Sequence, residues 1–437
     1  MFTEGLMLTA IIIAAITCLA MIMSVLFFPR IKIGRFSVAS YWVITLIGAT
    51  VFLLTKTVSL KSVGAALVAD TAINPLKILV LFISMTILSI FLDEFGFFRY
   101  LANCALKKAG KSQIKLFLLL YATVSVLTVF TSNDIIILSF TPFVCYFAKN
   151  ASISPIPYLA AEFVAANTWS MALVIGNPTN IYLVTAANGD FVSYMKIMLL
   201  PTIAAGAMAC VCLFITFRKK LSTPIAAAPE EVVIKDKLLL TVGIVHLAVC
   251  TLVLAFGSYF NIEMWLVALV SVLSLFAWNI VISIIRKSKP SALLACLRRA
   301  PWELIPFVIS MFVMVEALRI TGVTTEIFNL LGSSHSVWKY GISSFLASNL
   351  INNIPMSVLF SSILGNSISN IGAIYATVIG SNLGAFLTPI GALAGIMWSS
   401  ILREQNLKFG YVDFLKLGIT VAIPSLIIAL SVLLLVI

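Results

Sequence analysis

Four polar breaks interrupt apolar sequence in this chain, and their residue types set the chemistry available to it. One holds Ser132, Asn133 and Asp134 in FTSNDIIILSF, and another holds Asn349, Asn352 and Asn353 in SNLINNIP. The other two mix amides and hydroxyls with helix-breaking Gly and Pro: Asn177, Thr179 and Asn180 in VIGNPTN, and Ser381, Asn382 and Thr388 in IGSNLGAFLTPIG. Amides and hydroxyls both donate and accept hydrogen bonds, so these residues suit a small polar solute or, through their oxygens, a hard cation such as sodium. No H-E-x-x-H, G-x-S-x-G or phosphate-cradling P-loop pattern accompanies them, which argues against an enzyme and against ATP hydrolysis by the chain itself. Three carboxyls, Asp134, Glu162 and Glu316, also lie inside apolar runs. Ionisable groups there are expensive and mark ion or proton pathways. Asp134, at a break, is the first candidate for proton coupling and Glu162 the second. Glu316 has Arg319 three residues on, so a structural helical ion pair is the alternative to a proton site.

The elements that must hold these residues follow from composition. Of 437 residues 61% are hydrophobic and only 10% charged, with mean hydropathy +1.13. A soluble domain carries about a quarter charged residues, so the chain is an all-α polytopic membrane protein whose environment is the lipid bilayer. Runs at 6–28, 238–256, 264–285 and 415–437 each reach the roughly 20 residues a spanning helix needs. Shorter runs at 38–54, 78–92 and 305–320 and around Ala373 read as tilted or broken spans, for about 10–12 membrane segments in all. The first run has no basic residue before it and reads as a retained span. Seven cysteines, at no metal or disulfide spacing, point to core packing, with no metal and no cofactor.

The net charge of +12 does not indicate nucleic acid, because the basic residues sit in short loops between apolar runs. Arg30/Lys32/Arg35, Lys107/Lys108/Lys111/Lys115, Arg218/Lys219/Lys220, Arg286/Lys287/Lys289 with Arg298/Arg299, and Arg403/Lys408 are cytoplasmic by the positive-inside rule. Both termini then lie outside. The longest polar interruption, residues 218–237, divides the chain into 1–217 and 238–437, and the halves share ordered matches. ISMTILSIFLDEFG from Ile83 pairs with ISMFVMVEALRITG from Ile309, Asn133-Asp134-Ile135 with Asn352-Asn353-Ile354, and Asn167 with Asn382. Each half runs between outside and the cytoplasmic linker, so each has an odd number of crossings and the two repeats are inverted. Secondary transporters recurrently use that plan, with binding near the midplane on discontinuous helices.

Irregular backbone at membrane depth is tolerated only inside protein or beside a water-filled cavity. The breaks at Asn133 and Asn352 therefore read as tips of two re-entrant hairpins, with tip residues capping the second arm. The breaks at Asn177 and Asn382 read as unwound helices.

On FTSNDIIILSFTP, VIGNPTNIYL, SNLINNIP and GSNLGAFLTPIGALAGIMW with LREQNLKFGYVDFLKLG, the chain resembles the bacterial arsenite permeases of the ion transporter superfamily over essentially its whole length. The resemblance implies export of arsenite or antimonite in exchange for protons at the cell membrane, the inner membrane of a bacterium, with a soluble ATPase subunit assisting some relatives. It also implies two hairpins and two unwound helices in the transporting part, with the twelve polar residues of the four breaks at the site. The same superfamily holds sodium/proton antiporters and sodium-coupled dicarboxylate carriers, which stand as the alternative. The carboxylate carriers bear Ser-Asn-Thr at both tips; this chain reads Ser-Asn-Asp and Ile-Asn-Asn, and no Lys or Arg lies in the breaks to clamp an anion. The oligomeric state is left open between a single chain and a homodimer.

Overall fold

The computed structural model describes residues 2–33, 36–69, 74–186, 189–225, 233–257, 260, 262–364 and 370–437. Arg35 and the central part of the expected linker, 226–232, lie outside the described residues. The chain begins with α1 (Phe2–Phe27), an antiparallel ribbon of β1 (Arg30–Ile33) and β2 (Phe36–Ala39), α2 (Ser40–Leu54) and the short α3 (Leu60–Val68). The ribbon departs from an all-helical reading: in Arg-Ile-Lys-Ile, charged and β-branched residues alternate with the period of a strand.

Asn74 caps α4 (Pro75–Glu94) by accepting the Leu76 and Lys77 N–H groups, and Pro75 occupies the first turn, where its missing N–H is no loss. Most of α4 is enclosed by protein, as expected for a helix apolar all round. Gly96, at φ 80°, turns the chain into α5 (Phe97–Ala109). Next come α6 (Gln113–Phe130), α7 (Asn133–Asn150), α8 (Ile156–Trp169), a 3-10 turn at Val174–Gly176, α9 (Pro178–Ala186) and α10 (Phe191–Phe217). The Tyr158 hydroxyl at the start of α8 donates to Gln113 Oε1 at the start of α6, at 2.7 Å. Because only a short turn joins α7 to α8, α7 must return to the level where α6 began. The two helices form a hairpin.

The second half contains α11 (Lys237–Gly257), α12 (Met264–Ile285), α13 (Ser291–Arg299), α14 (Leu304–Ile320), α15 (Val323–Leu331), α16 (Ser336–Ile351), α17 (Asn353–Leu364), α18 (Ile371–Gly384) and α19 (Leu393–Glu404). It closes with α20 (Tyr411–Leu417), which continues through a π-helical turn at Gly418–Ala422 into α21 (Ile423–Val436). Gly322, at φ 84°, bends the chain between α14 and α15, as Gly96 does between α4 and α5. Ser336 Oγ donates to Asn370 Oδ1 at 3.0 Å, which brings the start of α18 to the start of α16 and folds α16–α17 into a second hairpin.

Seven helices among the described residues are long and apolar enough to cross a membrane alone. This is below the expected 10–12 because runs read as tilted or broken spans, such as α2, α14 and α18, are too short to qualify singly. In the packing, α4 lies against α11, α12 and α13, and α14 against α2. The hairpins pack across the halves: α7 on α19, and α17 on α9. Helices α16 and α18 pack tightly: a side chain at Gly380 would collide with Ser344 and the Gly341 carbonyl, and one at Gly384 with Ser348. Small residues let membrane helices approach this closely.

Candidate substrate site

The first tip lies between the end of α6 and the start of α7. Ser132 has extended backbone and makes no side-chain cap, contrary to the expectation for it. The cap is made by Asn133, whose Oδ1 accepts the Asp134 N–H at 2.9 Å. Asn133 Nδ2 donates to Asn167 Oδ1 on α8 at 3.2 Å, and Asn167 Nδ2 is held by the Phe163 carbonyl at 2.8 Å.

Just beyond Asn167, α8 ends and the chain unwinds through Gly176 before α9. Asn180 holds this irregular segment by donating to the carbonyls of Ser170, 2.8 Å, and Leu173, 3.1 Å. Asn382 of α18 reaches into it from the other half. Its Nδ2 donates to Asn180 Oδ1 at 2.7 Å, and its Oδ1 accepts from Ser170 Oγ at 2.9 Å and Asn177 Nδ2 at 3.0 Å. Asn177 Oδ1 accepts the Thr179 N–H at 3.2 Å, and Ser170 Oγ also bonds the Asn167 carbonyl at 2.8 Å. One buried network thus joins the first tip, the first unwound segment and α18.

The second tip is a separate cluster. Asn352 sits at φ 73° and ψ 152°, an extended positive-φ backbone that side-chain-bearing residues rarely adopt and that the surrounding bonds must hold. Its Nδ2 donates to the Ile390 carbonyl at 2.8 Å, and the Asn353 N–H donates to the Gly391 carbonyl at 3.0 Å. Thr388 Oγ1 donates to Asn349 Oδ1 at 2.8 Å. The tip is thereby tied to the break between α18 and α19.

Among the described residues, four buried oxygens at these breaks have no hydrogen-bond partner: Ser132 Oγ, Thr168 Oγ1, Asn353 Oδ1 and Ser381 Oγ. Buried polar atoms are ordinarily satisfied, so each is a candidate ligand for a solute. No Lys or Arg side chain hydrogen-bonds to a break residue among the described residues. Asn167, Thr168 and Ser170 were not among the site residues read from the sequence. Asn167 was detectable, because it matches Asn382 between the halves; nothing local distinguishes Thr168 or Ser170.

The three carboxyls go to three different places. Asp134 is partly exposed and lines a cavity of ≈ 870 Å³ shared with Tyr41, Thr86, Arg30, Arg298 and Glu303. Its neighbour Asn133, not Asp134, joins the amide network by its side chain. Glu162 is buried in α8, accepting from Thr141 Oγ1 at 2.7 Å with its second oxygen unpartnered. Glu316 is bonded twice by Arg319, at 2.7 and 2.8 Å, and to none of the break residues. Around the cavity, Arg299 bonds Asp93 at 2.6 Å and also Glu94, and Glu303 accepts the Ala39 N–H at 3.1 Å.

A helical membrane bundle with two hairpins, two broken helices and a buried uncharged polar network has the plan that secondary transporters recurrently use. The chain belongs to the citrate transporter family, whose pattern matches residues 31–376. It is 27% identical over 409 residues to a putative arsenical pump membrane protein of Bacillus subtilis, covering 86% of this chain and 89% of that one. The arsenical pump membrane protein of Escherichia coli K12 is 28% identical over 374 residues, 80% of this chain and 84% of its own. A 46 kDa membrane protein of Mycobacterium leprae is 24% identical, with 81% and 84% covered. In structure the chain is similar to the YdaH transporter of Alcanivorax borkumensis, with TM-score 0.56 and 97% of both chains covered; at 12% identity that likeness carries the fold alone.

Proposed function

We propose that this protein exports arsenite or antimonite across the cell membrane in exchange for protons. The observation that carries the reading is the uncharged site: amides and hydroxyls from both halves, four of their oxygens unpartnered, and no cationic side chain bonded to them. Arsenite at neutral pH is an uncharged trihydroxide, each hydroxyl both donor and acceptor, and such a solute matches donors and acceptors without a charge to neutralise. A carboxylate substrate would need a paired cation to offset its desolvation. The names of the relatives favour the same solute. In this scheme Asp134 is the proton carrier, reached from the cytoplasmic side through the cavity lined by Arg30 and Arg298. Glu162 is the second exchangeable carboxyl, and Glu316 is structural through Arg319.

The two halves, 1–217 and 238–437, act in this scheme as inverted repeats. Supporting that reading are the matched glycines Gly96 and Gly322 and the reciprocal packing of α7 on α19 and α17 on α9. A sodium-coupled cycle is the second reading, favoured by the unpartnered set being all oxygen, the ligand type that hard cations take. One experiment separates them. Inside-out membrane vesicles are given labelled arsenite with and without a proton gradient, and sodium and succinate serve as rival substrates. Gradient-driven arsenite accumulation that is lost in Asp134→Asn is the expected result. Sodium-dependent proton movement or succinate flux without arsenite uptake overturns it.

A further inference from the structure

Two distant parts of the chain fuse at the base of the first hairpin. The Ile225 N–H donates to the Lys111 carbonyl at 2.9 Å, Gln113 Nε2 donates to Thr223 Oγ1 at 2.7 Å, and Ser112 bridges Pro224 in antiparallel fashion. The fusion sets exposed Lys107, Lys108, Lys111 and Lys115 on one surface with exposed Arg218, Lys219 and Lys220. Among the described residues none of these cations makes an ion pair, whereas Arg30, Arg286 and Arg299 are each matched with a carboxylate. Like charges held together repel, and among the described residues no carboxylate offsets these, so the surface suits an anionic occupant.

The neighbouring surface identifies its class. Immediately below the cations, α6 exposes Ile114 and Leu118 and α10 exposes Val211 and Ile215. The two helices are adjacent, since the Tyr121 hydroxyl donates to the Gly206 carbonyl at 2.7 Å. A soluble anion has no use for that apolar strip. A lipid uses both parts, its phosphate at the ammonium groups and its chains along α6 and α10. Basic residues beside a spanning helix attract the anionic lipids of the cytoplasmic leaflet, and their stems can lie on apolar surface while the heads stay wet.

We propose that the corner formed by residues 107–115 and 218–225 is a binding site for an anionic glycerophospholipid of the cytoplasmic leaflet. The lipid braces the base of α6, and hence the hairpin that carries Ser132, Asn133 and Asp134. This inference does not depend on which solute is carried.

The test is native mass spectrometry of the full-length protein offered equal phosphatidylglycerol and phosphatidylcholine. Wild type should retain phosphatidylglycerol preferentially. Lys111→Gln/Lys115→Gln/Arg218→Gln/Lys219→Gln should lose that preference by nearly a thousandfold, as expected for four interfacial cations acting together. Lys111→Arg/Lys115→Arg should retain it, and Lys287→Gln/Lys289→Gln should leave it unchanged. Undiminished preference in the folded quadruple variant, an equal loss in the Lys287/Lys289 control, or full competition by inorganic phosphate overturns the proposal. Should the quadruple variant not fold, the wild type decides: retention unaffected by raising salt from about 0.05 to 0.5 M, where screening becomes strong, also overturns it.

Discussion

Truncating Asn382 tests whether the polar network holds the broken helices together. Its amide donates to Asn180 Oδ1 and the Val378 carbonyl, and its oxygen accepts from Ser170 and Asn177. In Asn382→Ala, Ser170 keeps its bond to the Asn167 carbonyl. Asn177 Nδ2 loses its partner, and Asn180 Oδ1 keeps only a 3.5 Å contact with Thr179. Two buried polar groups stranded at about 1–3 kcal/mol each amount to about 2–6 kcal/mol. Every 1.4 kcal/mol is tenfold in an equilibrium constant, so the ratio of assembled to disassembled site should fall by at least roughly thirtyfold. Ser170→Ala, which leaves Asn382 Oδ1 bonded to Asn177, should cost about 1 kcal/mol. Thermal unfolding in detergent and vesicle transport, measured on both variants, give the comparison. Equal loss in the two variants, or wild-type melting and transport in Asn382→Ala, would refute the reasoning.

Arg299→Ala should be damaging beside the cavity that Asp134 lines. It leaves the buried Asp93 carboxylate and its neighbour Glu94 without their shared guanidinium, and breaking such a pair costs about 3–5 kcal/mol. The melting temperature should drop, and adding Asp93→Asn should restore part of it; no rescue would mean that the charge is solvated. Asp236 caps α11 through the Leu238 and Leu239 N–H groups and bonds Arg286. Burial works against its charge, but these N–H groups and the guanidinium outweigh it and hold the carboxyl below its usual value. A depressed native pKa stabilises the fold above the unfolded pKa of about 3.9, and that stability disappears as pH falls through the native value. The melting difference between wild type and Asp236→Asn should therefore be present at pH 7 and shrink below about pH 4; a constant difference would show that charge is irrelevant there.

How much of this was legible in the sequence depended on contrast. Asn133, Asn352 and Asn382 stood out because an amide inside an apolar run has no reason to be there except to bond something buried, and Gly and Pro beside Asn177 and Thr388 marked where helix must stop. Direction was not legible. That Ser132 leaves its hydroxyl unpartnered while Asn133 caps α7 depends on backbone angles at the tip, which residue type does not encode. Ser170 was invisible because its partner Asn382 is 212 positions away and serine is common in membrane helices. The ribbon at Arg30–Ala39 was missed because four-residue strands leave too short a pattern to compete with a loop.

The first tip also bears on coupling. Successive residues on a helix are turned by about 100°, and Asn133 and Asp134 divide accordingly: one bonds Asn167 and the other lines the cavity. Yet they share one turn, tied by the Asp134 N–H to Asn133 Oδ1. On the exchange reading, a proton arriving at Asp134 meets no solute ligand directly. It changes the charge on a turn whose other side chain is bonded into the solute site, so any shift of that turn moves Asn133 against Asn167. Coupling then needs no long relay through the bundle. On that reading a single helical turn connects proton and solute.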